Sequence, residues 1–422
     1  MFQHMAIMWL NLSYIYMYDY VIIGGGISGL FMYSQLIKKT KNILLLERNK
    51  RFGGRILQHE EVYKNKQVSI PAGAARFNKN HIHVIRLLKE YNMLDFRKEK
   101  GFSSDIEYIN THSMIEKQFE GKNGFYFIHR ILNKASREKK SFLIQYTFSE
   151  YASLFLSKRE LDFLLIASGY SGQLKYMNMY DAYRLFLNGI RNDITYFAGK
   201  FHILIKKMED RLIKNGGVLL TNSLVKHISF DTNYKIQYNN TIVHSKTIIL
   251  CIPKPALLSL PYLKPYYSLF NKSINCKSLC RVYAMFDPKD TWYKQLKKTV
   301  VDNPLRYIIP FDSEKGLVMI SYTDDMYTKY WKDKNKEQIK SSIVKWIKKT
   351  YHIQIQPPLK VWTFFWDCGV AYWNKNIDSD VVSKQILHLE KNMFICGENY
   401  SQTQSWVEGA LETCHACLKL VK

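Results

Sequence analysis

Apolar positions along this chain fall into two patterns, short unbroken runs and longer stretches at helical spacing. The runs at 20–23 (Tyr-Val-Ile-Ile) and 43–46 (Ile-Leu-Leu-Leu) have the length of strands buried on both faces. Between them, residues 30–38 carry apolar side chains at helical intervals. Short runs return at 218–220, at 247–252 before Pro253, and at 392–396, the last followed by a helical pattern from Ser405 to the end. Residues 126–204 have helical spacing and few breakers, which predicts a helical subdomain. The segments 77–125 and 276–390 are rich in aromatic and β-branched residues, which predicts a second sheet with flanking helices. Strand, helix and strand in alternation predict an α/β class. No internal repeat, low-complexity tract or Gly/Ser linker interrupts the pattern.

Composition narrows the picture. The chain has 422 residues, 47% of them hydrophobic, enough for two or three packed regions. With 14% aromatic residues, 10 Pro and 20 Gly, it is neither collagen-like nor disordered. Lys and Arg number 61 against 36 Asp and Glu, a formal charge of +25. The basic residues are scattered, in short runs such as Lys38-Lys39 and Lys348-Lys349, and Lys, Asn, Ile, Tyr and Phe are all abundant, as in an AT-rich coding sequence. The charge therefore reads as composition rather than as a nucleic-acid patch, and no nucleic-acid partner is expected. Seven cysteines form no even framework, which argues against a disulfide-built secreted domain. Cys414 and Cys417 lack a second pair to complete a metal site, so they are read as packing, and no metal is expected. No run reaches the roughly 18 apolar residues that a membrane span needs. Residues 1–16 lack a basic start and a cleavage pattern, and read as an extension ahead of the first strand. These features predict an intracellular, cytoplasmic protein and leave room for a homo-oligomer.

Chemistry enters directly after the first strand. Gly24-Gly25-Gly26-Ile27-Ser28-Gly29 opens the first helix, and Glu47 ends the second strand, 18 residues after Gly29. In such a unit Gly24 makes the tight turn, Gly26 lets a pyrophosphate approach the backbone, and Gly29 permits close helix–sheet packing. The helix amino terminus offers unpaired N–H groups to phosphate, and Glu47 is placed for ribose hydroxyls. Arg48-Asn49-Lys50-Arg51-Phe52-Gly53-Gly54-Arg55 follows, a second glycine loop in which Arg55 would pair with a phosphate oxygen. At the far end, Gly397-Glu398 follows the strand at 392–396, and Ser405-Trp406-Val407-Glu408-Gly409 opens the last helix.

In order and spacing these elements resemble the flavin amine oxidase family, which includes monoamine, polyamine and L-amino acid oxidases. The resemblance runs from residue 18 to the end. It implies a two-dinucleotide-binding-domain flavoprotein: a Rossmann-like FAD domain from 17–76, 205–275 and 391–422, an α+β substrate domain from 77–125 and 276–390, and a helical subdomain at 126–204. The strand leading to Val225 resembles the one that contacts adenine. The implied FAD-binding set is Gly24, Gly26, Ser28, Gly29, Glu47, Arg48, Gly54, Arg55, Gly73, Ala74, Ala75, Arg76, Val225, Gly397, Glu398, Trp406 and Val407. Ala371, not Cys368, stands where monoamine oxidases attach their flavin, which implies non-covalent FAD.

The phrase Pro71-Ala72-Gly73-Ala74-Ala75-Arg76, with His81 five residues on, resembles L-amino acid oxidases, whose arginine clamps the substrate α-carboxylate. A planar guanidinium suits that task, and its alternative is an internal ion pair. Tyr322 resembles a tyrosine that gives the carboxylate a second donor. Trp406 would form one aromatic wall, and Tyr372, among Trp366, Tyr372 and Trp373, the other. Arg281 occupies the position where the family usually has a lysine, keeping the charge without the exchangeable proton. The implied activity is hydride transfer from the amine-bearing carbon of an L-amino acid to FAD, with oxygen as acceptor and release of hydrogen peroxide. A monoamine or polyamine oxidase, and a weak flavin-binding or nucleic-acid-associated protein, stand as alternatives.

Overall fold

The computed structural model describes residues 16–97, 106–109, 119, 122–189 and 194–421. Residues 1–15 of the expected extension, and much of 98–121, lie outside them.

The first apolar run forms the strand Met17–Ile23 at the centre of a sheet. It pairs in parallel with Ile43–Leu46 on one side and Thr241–Leu250 on the other. Val218–Leu220 adds beyond the former, and Met393–Ile395 beyond the latter, both in parallel. An antiparallel edge, His388–Glu390, and a hairpin, Val225–Phe230 with Tyr234–Tyr238, complete the sheet. Both faces are apolar, as unbroken runs require: Tyr20, Ile22, Ile43 and Leu45 point one way, and Val21, Ile23, Leu44 and Leu46 the other. The first set packs under the helices Ile27–Leu36, Phe201–Lys214 and Val407–Leu418 through Leu30, Met208 and Leu411. Cys414 and Cys417 are buried in that same core.

A second, largely antiparallel sheet runs in the order Lys360–Trp373, Ile274–Met285, Leu317–Asp324, Tyr307–Asp312, Lys298–Val301, Ile106–Ile109. Its register sets Arg281 opposite Tyr322, and Tyr322 opposite Tyr307. Helices between 124 and 188 form a third core around Phe127, Leu164 and Phe186. Two of them start on capping boxes, Thr147 with Glu150 and Ser157 with Glu160.

Three sequence-based boundaries shift. The helix Ile82–Glu90, expected with the substrate sheet, buries Val84, Leu87 and Leu88 in the core of the first sheet instead. Glu408, in the last helix, holds it there by accepting from the His83 and Val84 amides, each at 2.9 Å. The helix Phe201–Lys214 begins before the boundary drawn at 205, because Phe201 and Leu204 already face the same core. The hairpin Gln58–Tyr63/Lys66–Pro71 sends Val68 and Ile70 toward Tyr283, Met285 and Trp362 of the second sheet. One disulfide, Cys276–Cys368, joins neighbouring strands of that sheet, a pairing that the cysteine spacing did not indicate. Among the described residues no helix is long and apolar enough to cross a membrane.

Candidate functional site

The glycine turn is built by close approach. Gly24 has φ +105°, and a side chain there would begin 2.5 Å from the Cys251 carbonyl. A Cβ on Gly29 would lie 1.9 Å from the Gly24 carbonyl, so helix and strand touch through backbone. Gly26 differs: its added Cβ would meet nothing within 4 Å. The helix Ile27–Leu36 also lacks a side-chain cap at Gly26. An uncapped helix amino terminus beside open space is where backbone N–H groups receive an anion. The Ser28 hydroxyl is turned toward the last helix and donates to the Ala410 carbonyl at 3.4 Å.

Glu47 is buried and already engaged. One oxygen accepts from the Gly25 amide at 2.7 Å, and the other from the Asn49 amide and side chain at 2.8 and 2.7 Å. A carboxylate offers about four acceptor positions, so three protein donors leave room for a ribose hydroxyl. Arg48 is exposed. Arg51 holds the second glycine loop by donating to the carbonyls of Phe52, Gly54 and Ile56. Arg55 meets Glu398 at 2.7 Å, a carboxylate in place of the phosphate oxygen that its motif suggests, and donates to the Gly369 carbonyl at 3.3 Å.

Glu398 joins the two chain ends. Besides Arg55 it accepts from the Asn399 side chain at 2.9 Å and the Ser405 amide at 2.5 Å. Gly397 before it has φ +144°, a backbone state that L side chains rarely adopt. The helix Val407–Leu418 starts after Trp406 with no side-chain cap, a second positive dipole end near this cluster. Gly73 packs against the Arg55 carbonyl, which the Ala74 amide bonds at 3.1 Å, so the 73–76 segment lies on the second glycine loop. Val225 is buried at the start of its strand. Open backbone at Gly26, two uncapped helix starts and a buried carboxylate with spare acceptor positions fit a bound dinucleotide.

Arg76 sits on the short strand Arg76–Phe77, paired with Phe197–Ala198. Its guanidinium lies 5.4 Å above the Tyr196 ring, and Tyr196 stacks on Trp406 at 5.8 Å. His81 lies edge-on to Trp406 at 4.8 Å. Burial pushes His81 down to about 3, so its ring is neutral. The His81 Nε2, Trp406 Nε1 and Ser405 Oγ atoms are buried with no hydrogen-bond partner among the described residues.

Arg281 is buried between the sheets. One nitrogen donates to the Pro71 and Gly73 carbonyls at 2.7 and 2.6 Å, and the other to the Tyr322 hydroxyl at 3.0 Å. Burial opposes its charge, but Tyr322 and Tyr283 outweigh that and hold it protonated. Tyr170 lies edge-on to Tyr322 at 4.9 Å, Tyr307 lies 4.8 Å from Tyr170, and Lys298 is 5.1 Å above Tyr307. Burial, then the charge of Arg76, lowers Lys298 to about 7. Tyr372 is buried at the edge of the helical core, its hydroxyl against Gly172. Asp324 beside it accepts from the Ser171 and Gly172 amides at 3.2 and 2.7 Å. Trp373 is a structural tie, donating to the Ser401 carbonyl at 2.8 Å, and Trp366 donates to the Ala72 carbonyl at 3.0 Å.

Of the residues singled out by sequence, Arg76 and Trp406 share one aromatic stack, and Arg281 and Tyr322 form one bonded pair. Arg76 acts electrostatically on Tyr322 as well. Tyr170, Tyr196, Tyr307 and Lys298 escaped sequence reasoning. They come from connecting segments (Tyr170, Tyr196) and sheet strands (Lys298, Tyr307) that carry no motif, and only their convergence marks them.

Comparison with known proteins agrees with this geometry. A family model described as flavin containing amine oxidoreductase matches residues 27–416. An uncharacterized protein of Acanthamoeba polyphaga mimivirus is 21% identical over 94% of this chain and 92% of its own. The flavin-containing amine oxidase A of Equus caballus is 35% identical over a 109-residue segment, 26% of this chain and 18% of that one. A double mutant of putrescine oxidase with redesigned cofactor binding superposes with a TM-score of 0.72, covering 96% of this chain and 99% of that one at 13% identity.

Proposed function

The chain belongs to the flavin-containing amine oxidoreductases, and from that premise we propose that it oxidises the amine-bearing carbon of an L-amino acid. FAD, which the Gly24–Gly29 turn, the start of the helix Ile27–Leu36 and Glu47 would hold without a covalent link, would supply the hydride acceptor, with oxygen as the final acceptor and hydrogen peroxide as its product. The observation that carries the substrate class is the charge of the pocket wall. Arg76, Arg281 and Lys298 stand around the rings of Tyr170, Tyr196, Tyr307 and Tyr322. Asp324 and Glu398 are engaged by protein donors. Such a wall suits a carboxylate and disfavours the second ammonium of a diamine.

In this reading Arg76 takes the α-carboxylate in a bidentate, charge-assisted contact and so fixes the reacting carbon. Trp406 and Tyr196 form one side of the pocket and exclude water, while Tyr372 closes the other. Arg281 pins the backbone at Pro71 and Gly73 that leads to Arg76. The uncapped start of the helix Val407–Leu418 favours negative charge on a ligand at its end.

The test is anaerobic bleaching of the flavin by a panel of L-amino acids, monoamines and diamines, for the natural protein and Arg76→Ala. Amino acids are expected to bleach the natural protein and to lose most of that rate in Arg76→Ala. Reduction by amines alone, unchanged in Arg76→Ala, would make this an amine oxidase with a structural arginine. A flavin that no compound reduces would leave a binding protein.

A further inference from the structure

The disulfide Cys276–Cys368 sits where the ladder between the strands Ile274–Met285 and Lys360–Trp373 breaks. Cys276 faces Ala371 and Lys277 faces Val370, but Leu279 next faces Trp366. One residue, Ser278, therefore stands against three, Asp367, Cys368 and Gly369. Such a bulge interrupts strand pairing and re-aims the backbone beside it. Cys368 lies in the bulge, its Cα 5.0 Å from that of Cys276, so the covalent bond ties the strands where regular pairing lapses. Both cysteines are half-buried, whereas four of the five free cysteines are buried. A disulfide that a thiol can reach exchanges more readily than a framework bridge sealed in a core.

The bulge supports the junction of the two glycine-rich chain ends from two sides. The Gly369 carbonyl accepts from Arg55 at 3.3 Å, and Gly369 is pressed so close to Leu279 that an added Cβ would lie 2.4 Å from the Leu279 Cβ. The side-chain oxygen of buried Asn399 lies 3.6 Å from the Cys368 sulfur and 3.9 Å from the Cys276 sulfur. That oxygen also accepts from the Lys254 amide at 3.1 Å. The Asn399 side-chain nitrogen donates to Glu398 at 2.9 Å, and Glu398 holds both Arg55 and the Ser405 amide. The sulfurs thus touch one support of the Arg55–Glu398 pair, and the bulge carries the other. Oxidised sulfurs have no proton to give, whereas two thiols are both donors. On reduction the tie across the bulge is lost and the Asn399 oxygen gains two competing donors.

We propose that Cys276–Cys368 is a thiol–disulfide exchange site for a small thiol reductant, and that its oxidised form keeps the Arg55–Glu398 junction set for FAD. In the exchange the Sγ–Sγ bond breaks and two S–H bonds form. The external dithiol supplies the two electrons and two protons and becomes a disulfide itself. Cys276 and Cys368 act through Gly369 and Asn399, as positioning residues. The proposal rests on FAD binding and is independent of the amino acid reading.

The test follows FAD affinity and thiol labelling together. The holoprotein is equilibrated without oxygen in graded dithiothreitol, exposed thiols are alkylated and located by mass spectrometry, and FAD affinity is read from flavin fluorescence. Labels are expected at Cys276 and Cys368 in the folded protein. FAD affinity should fall roughly 10- to 100-fold in step with them, as for a lost hydrogen bond to a charged group. Glutathione disulfide should restore it. The double variant Cys276→Ser/Cys368→Ser should hold the weaker affinity and ignore the reductant. The labelling and reoxidation use the natural protein, so they decide the matter should the variant fold poorly. Equal FAD affinity in the oxidised and reduced natural protein would overturn the proposal. So would cysteines 276 and 368 that stay unlabelled until urea is added, or a double variant that still responds to dithiothreitol. A protein that binds FAD in neither state would overturn the cofactor assignment and the proposal with it.

Discussion

Arg281 donates to two backbone carbonyls and one hydroxyl, and deleting it tests whether it braces the segment that leads to Arg76. Arg281→Met removes all three bonds, but its consequences at the two carbonyls differ. Pro71 still accepts from the Tyr283 hydroxyl at 2.9 Å, whereas Gly73 loses its donor at 2.6 Å. A buried acceptor left without a donor costs about 1–3 kcal/mol. Methionine also relieves the desolvation of a buried cation, which brings the expected loss of stability to ~1–2 kcal/mol. Tyr283→Phe leaves the Pro71 carbonyl on Arg281 and should cost about 1 kcal/mol. In the double variant the Pro71 carbonyl has neither donor, so the loss should exceed the sum of the singles by ~1 kcal/mol. The assay is urea unfolding of the four proteins followed by tryptophan fluorescence, at one fixed free-flavin concentration so that ligand linkage stays constant. A coupling within ~0.3 kcal/mol of zero would refute the shared-acceptor reasoning.

Other outcomes follow from the same geometry. Arg76→Ala should lower kcat/KM for carboxylate substrates by roughly 30- to 5,000-fold, from a lost charged contact of about 2–5 kcal/mol, while leaving any activity on simple amines nearly unchanged. Gly26→Ala should fold with an apo stability close to the natural protein, since its Cβ enters open space, yet bind flavin more weakly, read by the colour of the purified protein and by FAD titration. Gly29→Ala should instead destabilise the fold, because its Cβ would sit 1.9 Å from the Gly24 carbonyl. His81 is neutral in the folded protein, lowered to about 3 by burial, so the unfolded chain binds the extra proton between there and about 6.5. Its share of stability is therefore complete above about 6.5 and is lost as pH falls, by about 1.4 kcal/mol per unit. His83, lowered to about 4 by burial, adds to this slope, so in urea unfolding between pH 4 and 7 His81→Gln should reduce it, and an unchanged slope would remove His81 as a source.

Much of this protein is legible along the chain because the relevant chemistry is local. The turn from Gly24 to Gly29, the strand runs on either side and the capping boxes at Thr147 and Ser157 depend on residues a few positions apart, whose periodicity and side-chain type suit one backbone geometry. The same locality placed Glu47 at a strand end and Trp406 at a helix start. It misled where a short amphipathic helix could face either core: the stripe Val84, Leu87 and Leu88 says that Ile82–Glu90 is buried on one side, not against which sheet.

The tertiary structure alone decided which distant side chains meet. Arg281 and Tyr322 are neighbours because two antiparallel strands pair in one register, and a slip by one residue would turn the tyrosine to the opposite face. Arg55 meets Glu398 rather than a surface anion because the last strand joins the sheet of the first through Thr241–Leu250. Tyr170, Tyr196, Tyr307 and Lys298 reach the pocket from segments without any motif. Short-range sequence encodes element geometry through backbone sterics and periodic burial, whereas the electrostatics of a pocket depend on separations that exist only once the sheets have closed.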